Sequence, residues 1–167
     1  MNAEFIMNRQ PVTLNATDTV GHATDLLLRH RLQALPVVGD DGHFVGIFSI
    51  TRLLQLLLPK AATVRGGLTN LTYVHDAIDD LRARLQEINT RAVGDSIQQR
   101  IQEVGELAVG GQSDDTVTVV HPATPLMETL LILYHTHDNL PVVDEESGRL
   151  LGIVSYSDVV QKLAYKD

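Results

Sequence analysis

The chain has 167 residues, contains no cysteine, and carries 21 acidic side chains against 13 Lys and Arg, for a formal net charge of −8. Without cysteine it can form neither a disulfide nor a thiolate metal site, and a strongly acidic chain without clustered basic residues repels phosphate backbones. The N-terminus lacks a basic stretch followed by a long apolar one, and no apolar run reaches the ~20 residues of a membrane span. We therefore expect a cytoplasmic protein with no nucleic-acid partner and no membrane insertion.

The first predicted elements are a strand, a helix, a hairpin and a second helix. "PVTLNATDTV" predicts a short strand and then a turn in which Thr17 or Thr19 caps an amphipathic helix. "LPVV", "GDDG" and "HFVGIFSI" predict two strands joined by a tight turn, which together form a hairpin over residues 35–50. A last helix over residues 51–58 is expected to stop at Pro59.

A charged central segment follows, and its pattern differs from everything before it. Apolar residues recur there at alternating steps of four and three, which predicts an amphipathic helix over residues 73–89, and a second helix follows over 93–107. We expect the two helices to form a hairpin. Their narrow apolar seam fits either packing on the rest of the chain or a coiled-coil or dimer contact, and both interpretations stay open. The seam of the first helix consists of Val74, Ile78, Leu81, Leu85 and Ile88.

The remaining elements repeat the first set. The segments Val12–Leu57 and Val117–Leu163 both open with Val-Thr, carry Leu-Pro-Val-Val in the middle, and close on Gly-Ile-x-Ser and an apolar helix. The second copy has one extra residue in its turn "DEESG" and one fewer in the passage "HTHDN". Each copy is therefore predicted to fold in the order strand, helix, strand, strand, helix.

This repeat resembles the cystathionine-β-synthase (CBS) domain, which occurs in tandem pairs called Bateman modules. The family's motif, Leu-Pro-Val-Val-Asp followed by Gly-hydrophobic-hydrophobic-Thr/Ser-x-x-Asp, appears at Leu140–Asp144 and Gly152–Asp158. "FIMNRQ" (residues 5–10) and "AVGDSI" (92–97) resemble the short segments that lead into the two domains. The chain departs from the family after Ile97, where residues 98–116 intervene before the next strand.

The resemblance implies an α/β (α+β) fold of two repeats packed with pseudo-twofold symmetry, plus an inserted helical hairpin. The expected domains are residues 1–60 for the first CBS domain, 61–111 for the helical insertion, which includes the second lead-in at 92–97, and 112–167 for the second CBS domain. It also implies regulation without catalysis, and the sequence contains no catalytic nucleophile motif or phosphate-binding loop. No cofactor is expected to be required.

By resemblance, the ligand is an adenosine compound such as AMP, ADP, ATP or S-adenosylmethionine, bound in a cleft between the repeats. Expected protein partners are a second copy, forming a homodimer, and an unknown effector, a transporter or an enzyme. A carboxylate can accept both protons of a ribose diol, and a helix N-terminus suits a phosphate. Asp158, with the hydroxyls of Ser155 and Ser157, supplies those groups. On spacing alone, Ser-x-x-Asp is a capping box, and both interpretations hold in turn if a ligand replaces the cap.

The first copy carries Arg52 where the second has Asp158. Because a guanidinium has donors only, it cannot accept the protons of a diol, so we expect one competent cleft, governed by the second copy. Arg52 is expected to be an exposed side chain at a helix start, with a phosphate contact as the alternative. The complete predicted ligand set is Thr118, Asn139, Leu140, Pro141, Ser155, Ser157 and Asp158, extended to Val12, Thr13, Ala34, Ser49, Thr51 and Arg52 in the first copy and to His137.

Two other functions remain open. The first is an interaction module whose clefts are degenerate and whose dimer surface is the function. The second is a metal-linked regulator, suggested by His121, His135, His137 and Asp138. Residues two apart on a helix point in different directions, so we expect no metal site and interpret His135 and His137 as partners of the helix dipole or as solvent-facing side chains. His137 could instead meet a phosphate.

Overall fold

The computed structural model describes residues 1–58, 78–98 and 117–165. Its helices are α1 (Ala3–Ile6), α2 (Val20–His30), α3 (Ile50–Leu57), α4 (Ile78–Ile88), α5 (Leu126–Thr136) and α6 (Tyr156–Ala164), and residues 93–98 are also helical. Its strands are β1 (Leu14–Asn15), β2 (Ala34–Val38), β3 (Phe44–Ser49), β4 (Leu140–Val143) and β5 (Leu150–Val154). Within the described ranges, no helix combines the length and apolar character needed to cross a membrane.

The first repeat contains a three-stranded sheet in the order β1-β2-β3, with β1 parallel to β2 and β2 antiparallel to β3. The hydroxyl of Thr19 accepts a hydrogen bond from the backbone N–H of His22 at 3.1 Å, so Thr19 is the cap of α2. The helix ends at Arg31, which adopts the left-handed conformation with φ 52°. The predicted order of elements in this repeat is confirmed.

The second repeat has the same order, but its first strand is reduced to a single bridge. Strands β4 and β5 form an antiparallel hairpin, and Val120 pairs in parallel with Val142. In the first repeat, Leu14 pairs with Val37 in the same place. Val12 therefore corresponds to Thr118, and aligning the two copies on their shared Val-Thr is wrong by one residue. The reason is that burial fixes the register, since Leu14 and Val120 are both core residues.

The turns of the two hairpins pair with each other. Phe44 N donates to Gly148 O at 3.0 Å, and Leu150 N donates to Gly42 O at 3.1 Å. Phe44 corresponds to Leu150 and Gly42 to Gly148, so interchanging the two repeats turns each of these bonds into the other. A pseudo-twofold axis therefore passes between the turns. Gly42 and Gly148 have φ values of 82° and 71°, a conformation that glycine adopts without strain.

The two lead-in segments are crossed: the first packs into the second repeat, and the second packs into the first repeat. The first lead-in segment, residues 2–8, contributes Ala3, Ile6 and Met7 to the core of the second repeat. The second lead-in segment, residues 92–98, contributes Val93 and Ile97 to the core of the first. Both repeats therefore need a piece of chain from elsewhere in the sequence to close their apolar interiors.

Backbone hydrogen bonds fix both lead-in segments in place. Asn8 and Ile153 exchange two bonds, of 2.8 and 3.0 Å, which adds a strand-like partner beside β5. Val93 N donates to Asp18 O at 2.8 Å, and Gly94 N donates to the carbonyl of Ala16 at 2.9 Å. The exchange is thus built from main chain as well as from apolar side chains.

Helix α4 packs against α2 and α3 of the first repeat. Ile88 at its C-terminal end is buried in the first core, whereas Leu81 is 41% exposed. The C-terminal end of the predicted seam therefore packs back on the chain, and a dimer contact through Leu81 stays open. Val74 and the second predicted helix beyond residue 98 lie outside the described residues.

Candidate ligand site

The strongest candidate site lies where β5 passes into α6. Ser155 is the N-cap of α6, and its hydroxyl accepts a hydrogen bond from Asp158 N at 3.2 Å. Asp158 Oδ2 accepts in return from Ser155 N at 3.0 Å and from Ser155 Oγ at 2.6 Å. Ser157 Oγ lies 2.9 Å from Ser155 Oγ. The capping box is therefore formed, and it gathers two hydroxyls and a carboxylate at the N-terminus of the helix.

Strand pairing brings most of the other predicted residues to this same end of the sheet. Leu140 pairs with Val154, so Asn139 lies beside Ser155 at the end of the hairpin. Thr118 precedes the Val120 bridge by two residues and so starts at the level of Leu140. Asn139 and Thr118 are accessible, whereas Leu140 and Pro141 are buried.

His137 lies next to this end of the sheet. It ends α5 in the left-handed conformation, with φ 56°, and its side chain is exposed. Its Nδ1 is 3.5 Å from the hydroxyl of Tyr156, the first residue of α6. This hydroxyl is the tip of a side chain that reaches back to α5, where it donates to Leu133 O at 2.9 Å, so the contact does not place His137 at the backbone amides of α6.

An open cavity of about 760 Å³ lies between residues 4–10 and the face of α6 that carries Asp158. Beside this cavity α1 and α6 are in direct contact, and both contribute side chains to the second core. Asp158 is the one predicted site residue on the cavity wall. Two cationic side chains line the cavity. Arg9 bonds Glu4 at 3.0 Å, and the ammonium group of Lys162 lies 5.9 Å from the centre of the Phe5 ring. The other lining residues are Ile6, Met7, Asn8, Gln10, Gln161 and Tyr165.

Sequence reasoning missed this wall of the cavity. The spacing of Asp158, Gln161, Lys162 and Tyr165 does place them on one face of a helix, which is a signal that could have been used. The contribution of residues 4–10 has no local signal, because it depends on the first lead-in segment crossing to the second repeat.

The matching place in the first repeat is built differently. Ser49 caps α3 in the same way, accepting from Arg52 N at 3.1 Å, and Ala34 pairs with Ser49 across the hairpin. Val12 and Thr13 precede β1 at this end of the sheet. Thr51 is exposed in the first turn of the helix.

Arg52 itself is buried. The residue is 6% exposed, and Nη2 donates to Ser96 O at 2.9 Å while Nη1 donates to Gln55 Oε1 at 3.3 Å. The expectation of an exposed Arg52 is therefore wrong. The physical reason is that the second lead-in segment packs over the start of α3 and encloses the guanidinium.

The resolved pKa shifts fall in the two hairpin turns. The Ser147 hydroxyl and backbone N–H hold the pKa of Asp144 below its ordinary value. The backbone N–H of His43 holds the pKa of Asp41 low in the same way. Among the described residues, no group of three or more His, Asp or Glu side chains is placed to hold a metal ion.

Known proteins contain the same repeat. A family model described as "CBS domain" matches residues 3–59 and 105–165, together more than half of the chain. The CBS domain-containing protein CBSX1, chloroplastic, of Arabidopsis thaliana is 26% identical over 162 residues, covering 95% of this chain and 61% of CBSX1. The chain thus spans about three-fifths of the length of that curated relative.

Two solved structures show the same fold. The crystal structure of CBSX2 from Arabidopsis thaliana in complex with AMP has a TM-score of 0.62 at 22% identity, covering 98% of this chain and 96% of that chain. The CBS domain pair of protein MJ0100 in complex with 5′-methylthioadenosine and S-adenosyl-L-methionine has a TM-score of 0.54 at 19% identity, covering 98% and 99%. With its two matched repeats and this fold, the chain belongs to the CBS domain family.

Proposed function

We propose that this protein is a regulatory sensor, not an enzyme, that binds an adenosine-containing ligand at the start of α6 and signals its occupancy to a partner protein. The observation that carries the proposal is Asp158, a half-buried carboxylate on a cavity wall at a helix N-terminus. The solved relatives with AMP, 5′-methylthioadenosine and S-adenosyl-L-methionine support this ligand class.

The chemistry of the site suits a ribose. Asp158 Oδ2 is occupied by the two hydrogen bonds from Ser155, and none of the bonds within the described residues ends on Oδ1. A ribose diol can therefore donate to Oδ1 and, by replacing the Ser155 hydroxyl, to Oδ2 as well. The released hydroxyls of Ser155 and Ser157 then become donors to the ligand.

The surrounding groups suit the rest of a nucleotide. Asn139 and Thr118 lie at the same sheet end with polar side chains for the base, and adenine can match main-chain groups beside Leu140 and Pro141. The helix dipole favours a phosphate at the N-terminus of α6, and the exposed His137 at the end of α5 is a further group that a phosphate could meet.

Occupancy can be passed on because the cavity is not made by one repeat alone. Its second wall, residues 4–10, is connected by residues 11–13 to β1 of the first repeat. A ligand that binds one relative placement of this wall and α6 better than another shifts the balance between the two placements. The effector that reads this balance, a transporter or an enzyme, is part of the proposal, as is the cytoplasmic location.

Thermal melting with AMP, ADP, ATP and S-adenosylmethionine tests the proposal. A ligand at ~100 times its dissociation constant adds roughly 2.7 kcal/mol to the free energy of unfolding. We expect a rise in Tm with at least one of them, lost in Asp158→Ala and kept in Glu128→Ala, which removes an exposed carboxylate from α5. No shift with any of the four would contradict the ligand proposal.

A second function, a homodimerisation module, is favoured by one further observation. Two apolar stripes at helical spacing remain exposed on the second repeat: Met127, Leu131 and Tyr134 on α5, and Tyr156, Val160 and Leu163 on α6. Met127 is 67% and Val160 64% exposed, and a second copy would remove such side chains from water. Leu131→Glu should convert a dimer into a monomer in sedimentation equilibrium, and a wild-type monomer would overturn this function.

A further inference from the structure

We propose that the Arg52 guanidinium is a built-in plug that closes the first repeat to ligands, so that a single replacement by aspartate opens a second site. This inference rests on the proposed ligand site at Asp158. It goes further by assigning Arg52 a role and by predicting how many ligands each variant of the chain holds.

The two positions are equivalent in three dimensions. Ser49 and Ser155 are both N-caps that accept from the backbone N–H three residues later, and that residue is Arg52 in one repeat and Asp158 in the other. Ala34 pairs with Ser49 across its hairpin, as Asn139 lies beside Ser155. The sheet end around the two side chains is therefore the same.

The lead-in segments are equivalent as well. Ile97 lies against Gly46, with its Cγ2 3.0 Å from where a Cβ would be, and Met7 lies against Gly152 with its Sδ at the same distance. Counting back one residue in each segment, Ser96 corresponds to Ile6. In the second repeat, Ile6 lines the cavity on whose wall Asp158 lies.

In the first repeat the side chain of Arg52 occupies the place that corresponds to this cavity. Its Nη2 donates to Ser96 O at 2.9 Å and joins α3 to the second lead-in segment, at the place that corresponds to the cavity between Ile6 and Asp158 in the second repeat. A cation at a helix N-terminus meets the unfavourable end of the dipole, and burial adds a desolvation cost. The acceptors on Ser96 and Gln55 help to hold the guanidinium there.

The remaining groups of the first site are already in place. Ser49 and Thr51 carry the hydroxyls that correspond to Ser155 and Ser157. An aspartate at position 52 would have the Ser49 N–H and hydroxyl within reach and could complete a capping box like that of α6. Arg52→Asp therefore removes the plug, restores the acceptor for a diol, and suits the local helix.

Isothermal titration with AMP tests the stoichiometry. We expect one AMP per wild-type chain, two per Arg52→Asp chain, and one per Arg52→Asp/Asp158→Ala chain. Two sites in wild type, or one in both wild type and Arg52→Asp, would overturn the plug. No binding in wild type with one site in Arg52→Asp would support the plug and refute the proposed site at Asp158, whereas no binding in either protein would refute both.

Hydrogen exchange supplies a readout that needs no ligand. Loss of the Arg52–Ser96 bond should speed amide exchange across residues 92–98 about tenfold or more, because a hydrogen bond from a charged donor contributes at least that factor. Exchange across residues 2–8 should not change. Arg29→Asp is the matched control, since Arg29 is an exposed arginine on α2 that bonds Asp25.

Arg52→Gln removes the guanidinium without adding a carboxylate, so it separates these two effects. It also replaces Arg52→Asp in the test if that variant does not fold. It should speed exchange across 92–98 and leave the AMP number at one. Unchanged exchange in Arg52→Gln would show that the guanidinium does not hold the second lead-in segment, and the inference would be wrong.

Discussion

The two repeats share one scaffold and differ where the ligand is expected. Both have a serine cap at the start of their last helix and a lead-in segment borrowed from the other half of the sequence. Three residues past the cap, the first repeat carries a buried arginine bonded to its lead-in, and the second carries a carboxylate beside an open cavity. A duplicated fold can thus keep the symmetry of its backbone while a single side chain makes its two halves chemically different.

The largest effect should come from removing a lead-in side chain from the core that it completes. Ile6 is 1% exposed in the second core, so Ile6→Ala should lower the free energy of unfolding by about 2–5 kcal/mol. Its neighbour Phe5 is 48% exposed, and Phe5→Ala should cost about 0.5 kcal/mol or less. Urea denaturation measures both, and equal losses would show that the first lead-in segment does not enter the core.

A methyl group at the two equivalent glycines should distinguish the two lead-in contacts. A Cβ at Gly152 would lie 2.5 Å from the backbone oxygen of Asn8, whereas one at Gly46 would lie 3.0 Å from a side-chain methyl group, Cγ2 of Ile97. Gly152→Ala should therefore cost about 1–3 kcal/mol in urea denaturation, and Gly46→Ala clearly less. The reverse order would place the tighter contact in the first repeat.

The two caps should differ by a smaller amount. Ser49→Ala removes one acceptor from a helix end and should cost about 0.5–1 kcal/mol. Ser155→Ala also takes the hydroxyl donor from Asp158 Oδ2, so about 1–2 kcal/mol is expected. The free energies of unfolding from urea titrations decide this, and a larger loss from Ser49→Ala would contradict the reciprocal bonding seen in α6.

The smallest expected effect is on how stability falls at low pH. Asp144 has its pKa lowered by Ser147, so it stabilises the folded chain above its ordinary pKa near 3.8, and this stabilisation is lost as pH falls through the folded value. Asp144→Asn should flatten the decline in the urea midpoint between about pH 5 and pH 2. Asp41→Asn should do the same in the other turn, and an unchanged slope in both would refute the two lowered pKa values.

The elements of each repeat could be predicted because their signals are local. Thr19, the Leu-Pro-Val-Val strands and the glycine turns fix a cap and two hairpins within a few residues. The exchange of lead-in segments and the burial of Arg52 could not be predicted in this way, since both depend on contacts between distant parts of the chain. The offset of Val12 against Thr118 was hidden for the same reason, because a two-residue strand takes its register from its neighbour.

The crossed lead-in segments also set the order in which a newly made chain can finish folding. As the ribosome extends the chain, the first repeat lacks part of its interior until Val93 and Ile97 have emerged. Residues 3–7 wait for a partner that includes Val159, which is synthesised long after them. The first repeat can therefore close once residues 92–98 have been made, whereas the second cannot close before Val159, so the apolar side chains of residues 3–7 stay uncovered in the meantime.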